Sequence, residues 1–405
     1  MTPEGWKVSD LVKLTQHGGV LSDGDWVESK DQDPNGDVRL VQLADVGDGS
    51  FLDRSARFLT SEKARELKCT FLQPGDLLIA RMPDPLGRAC VFPGDSRPSI
   101  TAVDVCIVRP DPNIVDVIWL KYSVNSPQFR SQLKKFTSGT TRKRISRKNL
   151  DKITIFIPPL TEQRRIASIL DKADAIRCKR QQARSLTDEF ICSAFVDIFG
   201  DPVINPYKWK IKPLGNISIR FSDGPFGSNL KTSHYVDEGV RVVRLQNIGV
   251  DEFLDEDKAY ISKDHFQTLL KHKCVPGDVI IGTLGDPNLR ACILPSYIDE
   301  AINKADCIQL RTDHNQATPE YICSLINHPG MLTLAYHLMH GQTRIRVSMG
   351  TLKELEVPIP PLSIQKHYST VYYQKKKITS QHQNMTIKTG TLFNSLTQRA
   401  FRGEL

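Results

Sequence analysis

The segment VRLVQLADVG beginning at Val38 returns as VRVVRLQNIG at Val240, 202 residues later. The same offset pairs Pro74-Gly75-Asp76 with Pro276-Gly277-Asp278, Arg88-Ala89-Cys90 with Arg290-Ala291-Cys292, and Asp104 with Asp306. It also pairs Thr141-Arg142 with Thr343-Arg344 and Pro158-Pro159-Leu160 with Pro360-Pro361-Leu362. Upstream the offset drifts: Trp6-Lys7 answers Trp209-Lys210 at 203, and Ser22-Asp23-Gly24 answers Ser222-Asp223-Gly224 at 200. So many matches at one spacing do not arise by chance, and the chain is two copies of one unit.

Each copy has two parts. The first, about 150 residues, alternates short apolar runs with Gly, Pro and Asp punctuation, as in RLVQL and DLLIA or VVRL and DVIIG, which predicts strands joined by turns. A helix is expected at 115–133 and again at 319–338. The result is a mixed, mostly antiparallel α+β domain. The second part follows the Pro-Pro pair, which stops a strand and suits the first turn of a helix. Its apolar residues recur every seven positions: Ile169, Ile176, Ala183 and Phe190 in one copy, Val371, Ile378, Met385 and Leu392 in the other. That register is what paired coiled-coil helices require. Each helix has about 40 residues and a length of about 60 Å. Under a pseudo-twofold axis the two would run antiparallel. The expected division is 1–157 as first domain, 158–200 as central helical arm, 201–359 as second domain and 360–405 as C-terminal arm.

At 405 residues the chain exceeds one ordinary core. Its 40% apolar and 25% charged content is that of a globular protein. No apolar run reaches the length of a membrane span, and MTPEGWKVSD has no apolar signal core. Nine cysteines without a Cys-x-x-Cys pair fit reduced thiols in a cytoplasm. The net charge of +8 is compatible with nucleic acid, and it is unevenly spread. Between Lys134 and Leu150, KKFTSGTTRKRISRKNL carries seven Lys/Arg and no acid. Its Gly-Thr-Thr centre favours a loop, and a basic loop with small hydroxyl residues suits phosphates and base edges.

Catalytic signatures are missing. Neither a G-x-G-x-x-G after a strand nor a G-x-x-x-x-G-K-[ST] occurs, so no nucleotide site is indicated. Asn205-Pro206-Tyr207 is similar to an adenine-methyltransferase tetrapeptide but lacks one proline and sits in a linker. The Glu-x-Lys triplets at Glu28 and Glu256 do not correspond under the repeat. His337 and His340 stand one turn apart without a third metal ligand, and a surface pair is the plainer reading. Cys90 and Cys292 correspond, yet both lie among strand residues, where buried inert thiols are expected. The expectation is a binding protein with no catalytic residues, no metal and no cofactor of its own.

Two pairs of corresponding loops are candidates for binding. SDGDWVESK (22–30) and SDGPFGSNLK (222–231) each offer an aromatic and a lysine, Trp26 with Lys30 and Phe226 with Lys231. GTTRKRI (139–145) and GQTRIRV (341–347) are the basic pair. Corresponding loops of differing sequence are what two readers of different sequences on one frame would have, with Arg and Lys addressing guanine edges and Asn or Gln adenine edges. Plain turn chemistry accounts equally for Ser-Asp-Gly. A loop that only buttresses the Pro-Pro-Leu strand accounts equally for Gly-x-Thr-Arg.

The tandem unit, the helix IPPLTEQRRIASILDKADAI, the openings SDGDWVESKD and DGPFGSNLKT, and the closing LFNSLTQRAFRGEL together resemble specificity subunits of type I restriction–modification systems. The resemblance extends over essentially the whole chain. It implies two target recognition domains, each reading half of a bipartite, gapped target in double-stranded DNA, separated by an antiparallel coiled coil. It implies docking of two methyltransferase subunits, which carry S-adenosylmethionine, and of restriction subunits where a system has them. Carried onto this chain, it points to Trp26, Lys30, Thr141, Arg142, Lys143 and Arg144 in the first domain. In the second it points to Phe226, Ser228, Asn229, Lys231, Thr343, Arg344 and Arg346. One departure is the second exit helix, where Ile364 and Lys366-His367 stand in place of Glu162 and Arg164-Arg165. An adaptor that binds protein and an enzyme with an unrecognised site are the alternatives.

Overall fold

The computed structural model of the chain describes residues 5–15, 19–82, 85–139, 143–285, 287–336, 339–340 and 346–405, and at 184, 187–192, 336, 339–340 and 346 it describes the backbone alone. It divides into two compact units, 1–181 with 384–405, and 182–383. The division falls inside the two long helices, Leu160–Phe199 and Leu362–Ala400, and not at their starts.

The first unit is mixed α+β. Strands Val20–Asp23, Val105–Arg109, Leu77–Ala80 and Ala89–Val91 form an antiparallel sheet in that order. A second sheet pairs Val38–Val41 with Phe58–Leu59 antiparallel and with Ser99–Thr101 parallel. A ribbon of Lys7–Asp10 and Thr154–Ile157 leads to the Pro-Pro pair. The second unit repeats this frame: Val240–Val243 pairs in parallel with Ala301–Asn303, and Val279–Gly282 lies between Cys307–Thr312 and Arg290–Ile293. Strand pairing also accounts for the drift upstream. Ser22 faces Ile107 and Ser222 faces Gln309, so the shift of 200 is a true structural equivalence across a strand that otherwise follows 202.

The single helix expected at 115–133 is two, Val117–Val124 and Pro127–Lys135. Proline disfavours helical backbone in the residue before it, and the Ser126 hydroxyl accepts the Phe129 N–H to start a new helix. The second copy breaks in the same place, at His328-Pro329, between Pro319–Asn327 and Pro329–Tyr336.

Each core is closed by helix residues from two distant parts of the sequence. In the first unit Leu77, Ile79, Val108, Trp119 and Leu120 pack with Ile166, Ala167 and Leu170, and also with Phe393, Leu396, Ala400 and Phe401. The Phe401 ring lies 6.0 Å from that of Trp119, which is fully buried. In the second unit Ile281, Ile308, Tyr321 and Leu325 pack with Tyr368 and Tyr372, and also with Phe195 and Phe199. Each domain is therefore sealed by the start of its own exit helix and by the end of the other.

Gln163 and Gln365 anchor those helix starts, and neither is exposed to solvent. Gln163 Oε1 accepts the Asp116 N–H at 2.8 Å, while its Nε2 donates to Pro158 O at 2.9 Å and Ile114 O at 3.1 Å. Gln365 makes the equivalent bonds to Thr318 N–H, Pro360 O and Gln316 O at 2.9, 2.7 and 3.1 Å. The glutamine of Pro-Pro-Leu-x-x-Gln thus satisfies backbone groups that burial would otherwise strand.

The row of the first helix that meets its domain is Gln163, Ile166, Ala167 and Leu170, an i, i+3, i+4, i+7 stripe. The seven-residue row beside it is different: Ile169 and Val371 are half-buried, while Ile176, Ile378, Met385 and Leu392 are exposed. Among the described residues no helix is long and apolar enough to cross a membrane.

Candidate nucleic-acid interface

The Ser-Asp-Gly turns are sites of close backbone approach. A Cβ on Gly24 would lie 2.1 Å from Ala102 O, and one on Gly224 2.1 Å from the Lys304 carbonyl carbon. No other residue fits there. Beyond Gly24, Trp26 is 69% exposed, and its Nε1 donates to Glu28 at 3.3 Å. Lys30 Nζ lies 2.8 Å from the other Glu28 oxygen. The lysine holds the Glu28 carboxyl below the usual carboxylate range, and the carboxylate in turn raises the Lys30 ammonium. The pair is fully solvated, so a phosphate could take Lys30 from Glu28 at little cost.

The basic segment of the first domain is a closed loop. Ser138 and Arg144 exchange both backbone hydrogen bonds at 3.0 Å, and the Arg144 guanidinium lies 2.7 Å from Asp104. Thr141 and Arg142 lie outside the described residues, and Lys143 is exposed. Arg147 Nη1 donates to Leu21 O at 3.1 Å, joining this segment to the strand that carries Ser22-Asp23-Gly24. The two candidate loops of the first domain, far apart in sequence, are therefore neighbours. A cavity of about 1050 Å³ beside Lys143 is also lined by Arg130 and Arg177, but Arg130 pairs with Asp48 and Arg177 with Asp174. With those cations matched to carboxylates, the cavity is a poor phosphate channel.

In the second domain Phe226, Ser228 and Asn229 form an exposed single turn, with the Asn229 N–H donated to Phe226 O at 3.3 Å. Two histidines that carried no signal in the sequence support it. The Asn229 carbonyl lies 2.9 Å from His265 Nε2, the Lys231 N–H is donated to His234 Nδ1 at 3.2 Å, and the two rings are 4.3 Å apart. Arg244 and Lys304 flank the Tyr235 ring at 5.7 and 5.6 Å. Neither is among the residues expected from the sequence, and Gln42 and Ala102 occupy the equivalent positions of the first copy. Thr343 and Arg344 lie outside the described residues, as does the Arg346 side chain, whose backbone pairs with His340.

Among the described residues, nothing nearby resembles an activated nucleophile. Burial pushes the thiols of Cys90 and Cys292 up to about 12, so both stay protonated at neutral pH. His337 and the His340 side chain lie outside the described residues.

Residues 3–187 match the family model for the type I restriction modification DNA specificity domain. The chain is 23% identical over 265 residues to the type I restriction enzyme MjaVIII specificity subunit of Methanocaldococcus jannaschii, covering 62% of each. It is 21% identical over 306 residues to the type I restriction enzyme EcoBI specificity subunit of Escherichia coli, covering 69% of this chain and 64% of that one. The chain thus spans just under two thirds of the length of these relatives. A solved structure described as the basis of complex assembly and conformational transition of the type I R-M system aligns over 100% of both chains, with a TM-score of 0.57 and 16% identity, a likeness of fold. Past residue 187, the second copy keeps the sheet order, the Pro-Pro-Leu helix start and the buried glutamine of the first. With these matches, residues 3–187 are similar to the type I restriction modification DNA specificity domain, and the chain resembles type I restriction enzyme specificity subunits.

Proposed function

We propose that this chain is the sequence-reading subunit of a type I restriction–modification complex. Each domain reads one half of a bipartite, gapped double-stranded DNA target, and the chain itself performs no catalysis. The observation that carries this reading is the duplication of one frame with different loops. Both copies keep the Gln163 and Gln365 anchors, while the loops at 24–30 and 224–231 differ in length and residues. A shared frame with divergent loops is what two half-sites of different sequence demand. Phosphate contacts fall to Lys30, Lys143 and Lys231, and base contacts to Arg142, Arg144, Asn229, Arg344 and Arg346, with Trp26, Phe226, Thr141, Ser228 and Thr343 completing the surfaces.

The long helices act as the spacer. Two contacts within the first unit favour antiparallel helices: Arg165 reaches Leu405 O at 2.5 Å, and Arg177 lies over the Phe393 ring at 4.9 Å. Position rises on one helix as it falls on the other. The row through Ile169, Ile176, Ala183, Phe190, Val371, Ile378, Met385 and Leu392 then forms the seam of a coiled coil or its junction with partner helices. Two methyltransferase subunits dock there and bring S-adenosylmethionine, restriction subunits join where the system has them, and the complex works in the cytoplasm.

Single-molecule methylation sequencing of host DNA, with and without this gene, tests the reading. Loss of methylation at a two-part gapped motif on deletion is the expected result. An unchanged methylome in a host whose methyltransferase subunit is expressed would turn the reading toward a protein-binding adaptor.

A further inference from the structure

Arg81 directly follows the core strand Leu77–Ala80, with its side chain only 4% exposed. A buried cation is tolerable only when paired, and its carboxylate partners are Asp23, in one loop assigned to DNA, and Asp104, which also pairs with Arg144 of the other. Arg81 Nε lies 3.4 Å from Asp23 of the Ser-Asp-Gly turn, and its Nη2 lies 3.8 Å from Asp104 and donates to Val103 O. Asp104 is also the carboxylate that takes Arg144, at 2.7 Å. The backbone of Arg81 adds two links: its N–H is donated to Asp104 O at 2.9 Å, and its carbonyl accepts the Ile145 N–H at 3.1 Å. Charges thus alternate along Asp23, Arg81, Asp104 and Arg144, from one candidate loop to the other, with Arg81 the buried link.

The second copy has no arginine at this point. Thr283 stands at the equivalent position, and its N–H and hydroxyl both turn to Asp306 O, at 3.1 and 3.2 Å. A hydroxyl cannot span two loops, whereas the planar fork of an arginine can. There the Ser222-Asp223 turn is held by His272, whose Nδ1 lies 2.6 Å from Asp223 O.

We propose that Arg81 is a positioning residue for sequence discrimination by the first domain, locking the Asp23 loop and the Arg144 loop in one mutual placement without touching DNA. This rests on the DNA reading above. The test uses the assembled complex of the full chain with its methyltransferase subunits, and duplexes in which one half-site at a time is altered. In Arg81→Met, discrimination at one half-site falls by about tenfold or more, the order of one lost bidentate base contact, while the other half-site is discriminated as before. Arg81→Lys retains more discrimination than methionine, because it keeps the charge but reaches one carboxylate. If Arg81→Met misfolds, pairing it with Asp23→Asn removes the carboxylate left behind and permits the same measurement. Unchanged discrimination at both halves, or an equal fall at both, would overturn the assignment. A wild-type complex that discriminates neither half would instead overturn the DNA reading, and the proposal with it.

Discussion

Gln163 and Gln365 sit at the same point of the two repeats, and each fastens a Pro-Pro helix start to the short helix behind it through three backbone hydrogen bonds. Replacing Gln163 with leucine preserves bulk but leaves the Asp116 N–H and two carbonyls buried without partners. At about 1–3 kcal/mol for a stranded buried group, partly relieved by relaxation, the loss should be about 2–4 kcal/mol. Gln365→Leu should cost a similar amount in the other domain. Chemical denaturation that finds less than about 0.5 kcal/mol for either would mean that the knot is ornamental.

The sealing of the first core by the C-terminal residues makes a prediction that division at helix starts would not. Ending the chain after Thr391 removes Phe393, Leu396, Ala400 and Phe401, each packed into or against the first domain's core. At about 1.5–3 kcal/mol for each large side chain, the first domain should lose several kcal/mol. Limited proteolysis should then cut first within 1–157, although the deletion lies more than two hundred residues away. Preferential cleavage of the second domain would contradict the packing.

Much of this is legible in the sequence because repetition removes ambiguity: two aligned copies mark the same strands and helix starts twice. The break at Ser126-Pro127 has a sequence signal, since a capping serine followed by proline starts a helix as readily as it ends one, but the apolar pattern continues across it. The domain-facing stripe through Ile166 and Leu170 was harder to see. A long helix can carry two apolar rows, and a seven-residue period selects the row through Ile169 and Ile176 even when the adjacent row meets the core. Arg81, His234 and His265 left no local trace, because their roles depend on partners brought near by tertiary folding. Of the candidate loop residues, Thr141, Arg142, Thr343 and Arg344 fall outside the described residues. The tie between Arg144 and Asp104 exists only in three dimensions.

Buried thiols set the alkaline limit of stability. Cys90, Cys106 and Cys292 are pushed up by burial from 9.0 to about 12. An acid whose folded pKa is raised contributes stability below the unfolded value and loses it as pH climbs toward the folded one. Stability should therefore hold up to about pH 9 and decline between 9 and 12, by up to about 1.4 kcal/mol per pH unit for each thiol. Urea midpoints at pH 8, 9 and 10 measure it, with Cys90→Ala and Cys292→Ala flattening the slope. A stability that does not change over that range would disprove the assignment. At pH 8 an alkylating reagent should reach Cys178 first among the described cysteines, since it is exposed while Cys69 is half-buried and the others buried.

Trp26 and Lys30 share Glu28, so DNA should be felt at both. A phosphate that captures Lys30 frees the carboxylate on which Trp26 rests. Lys30→Ala should weaken binding to all duplexes alike and reduce the slope of log affinity against log salt by about one. Asn229→Ala, by contrast, should relax one position of one half-site at a cost of about 1–3 kcal/mol. Glu28→Gln removes the competitor for Lys30 and should tighten non-specific binding. If Lys30→Ala altered base preference with the salt slope intact, the lysine would be a base reader and the division of roles between these loops would need reversing.

The long helices are assigned the spacing of the half-sites and no part in reading them, and insertion separates the two roles. One heptad added to both helices, after Cys178 and at the equivalent Ser380, lengthens each by about 10 Å and preserves the seven-residue register. Duplex DNA rises 3.4 Å per base pair, so the gap can widen by at most about three base pairs, and by fewer if the domains must also follow the twist of the duplex. Both half-site sequences should be unchanged, because Gln163 and Gln365 still tie each helix start to its own domain and the loops lie on the domains. Methylation sequencing reads gap and half-sites in one experiment. A longer gap with the same half-sites is the expected outcome. Altered bases within a half-site would mean that the helices take part in reading, and an unaltered gap would mean that the spacing is set by the partner subunits.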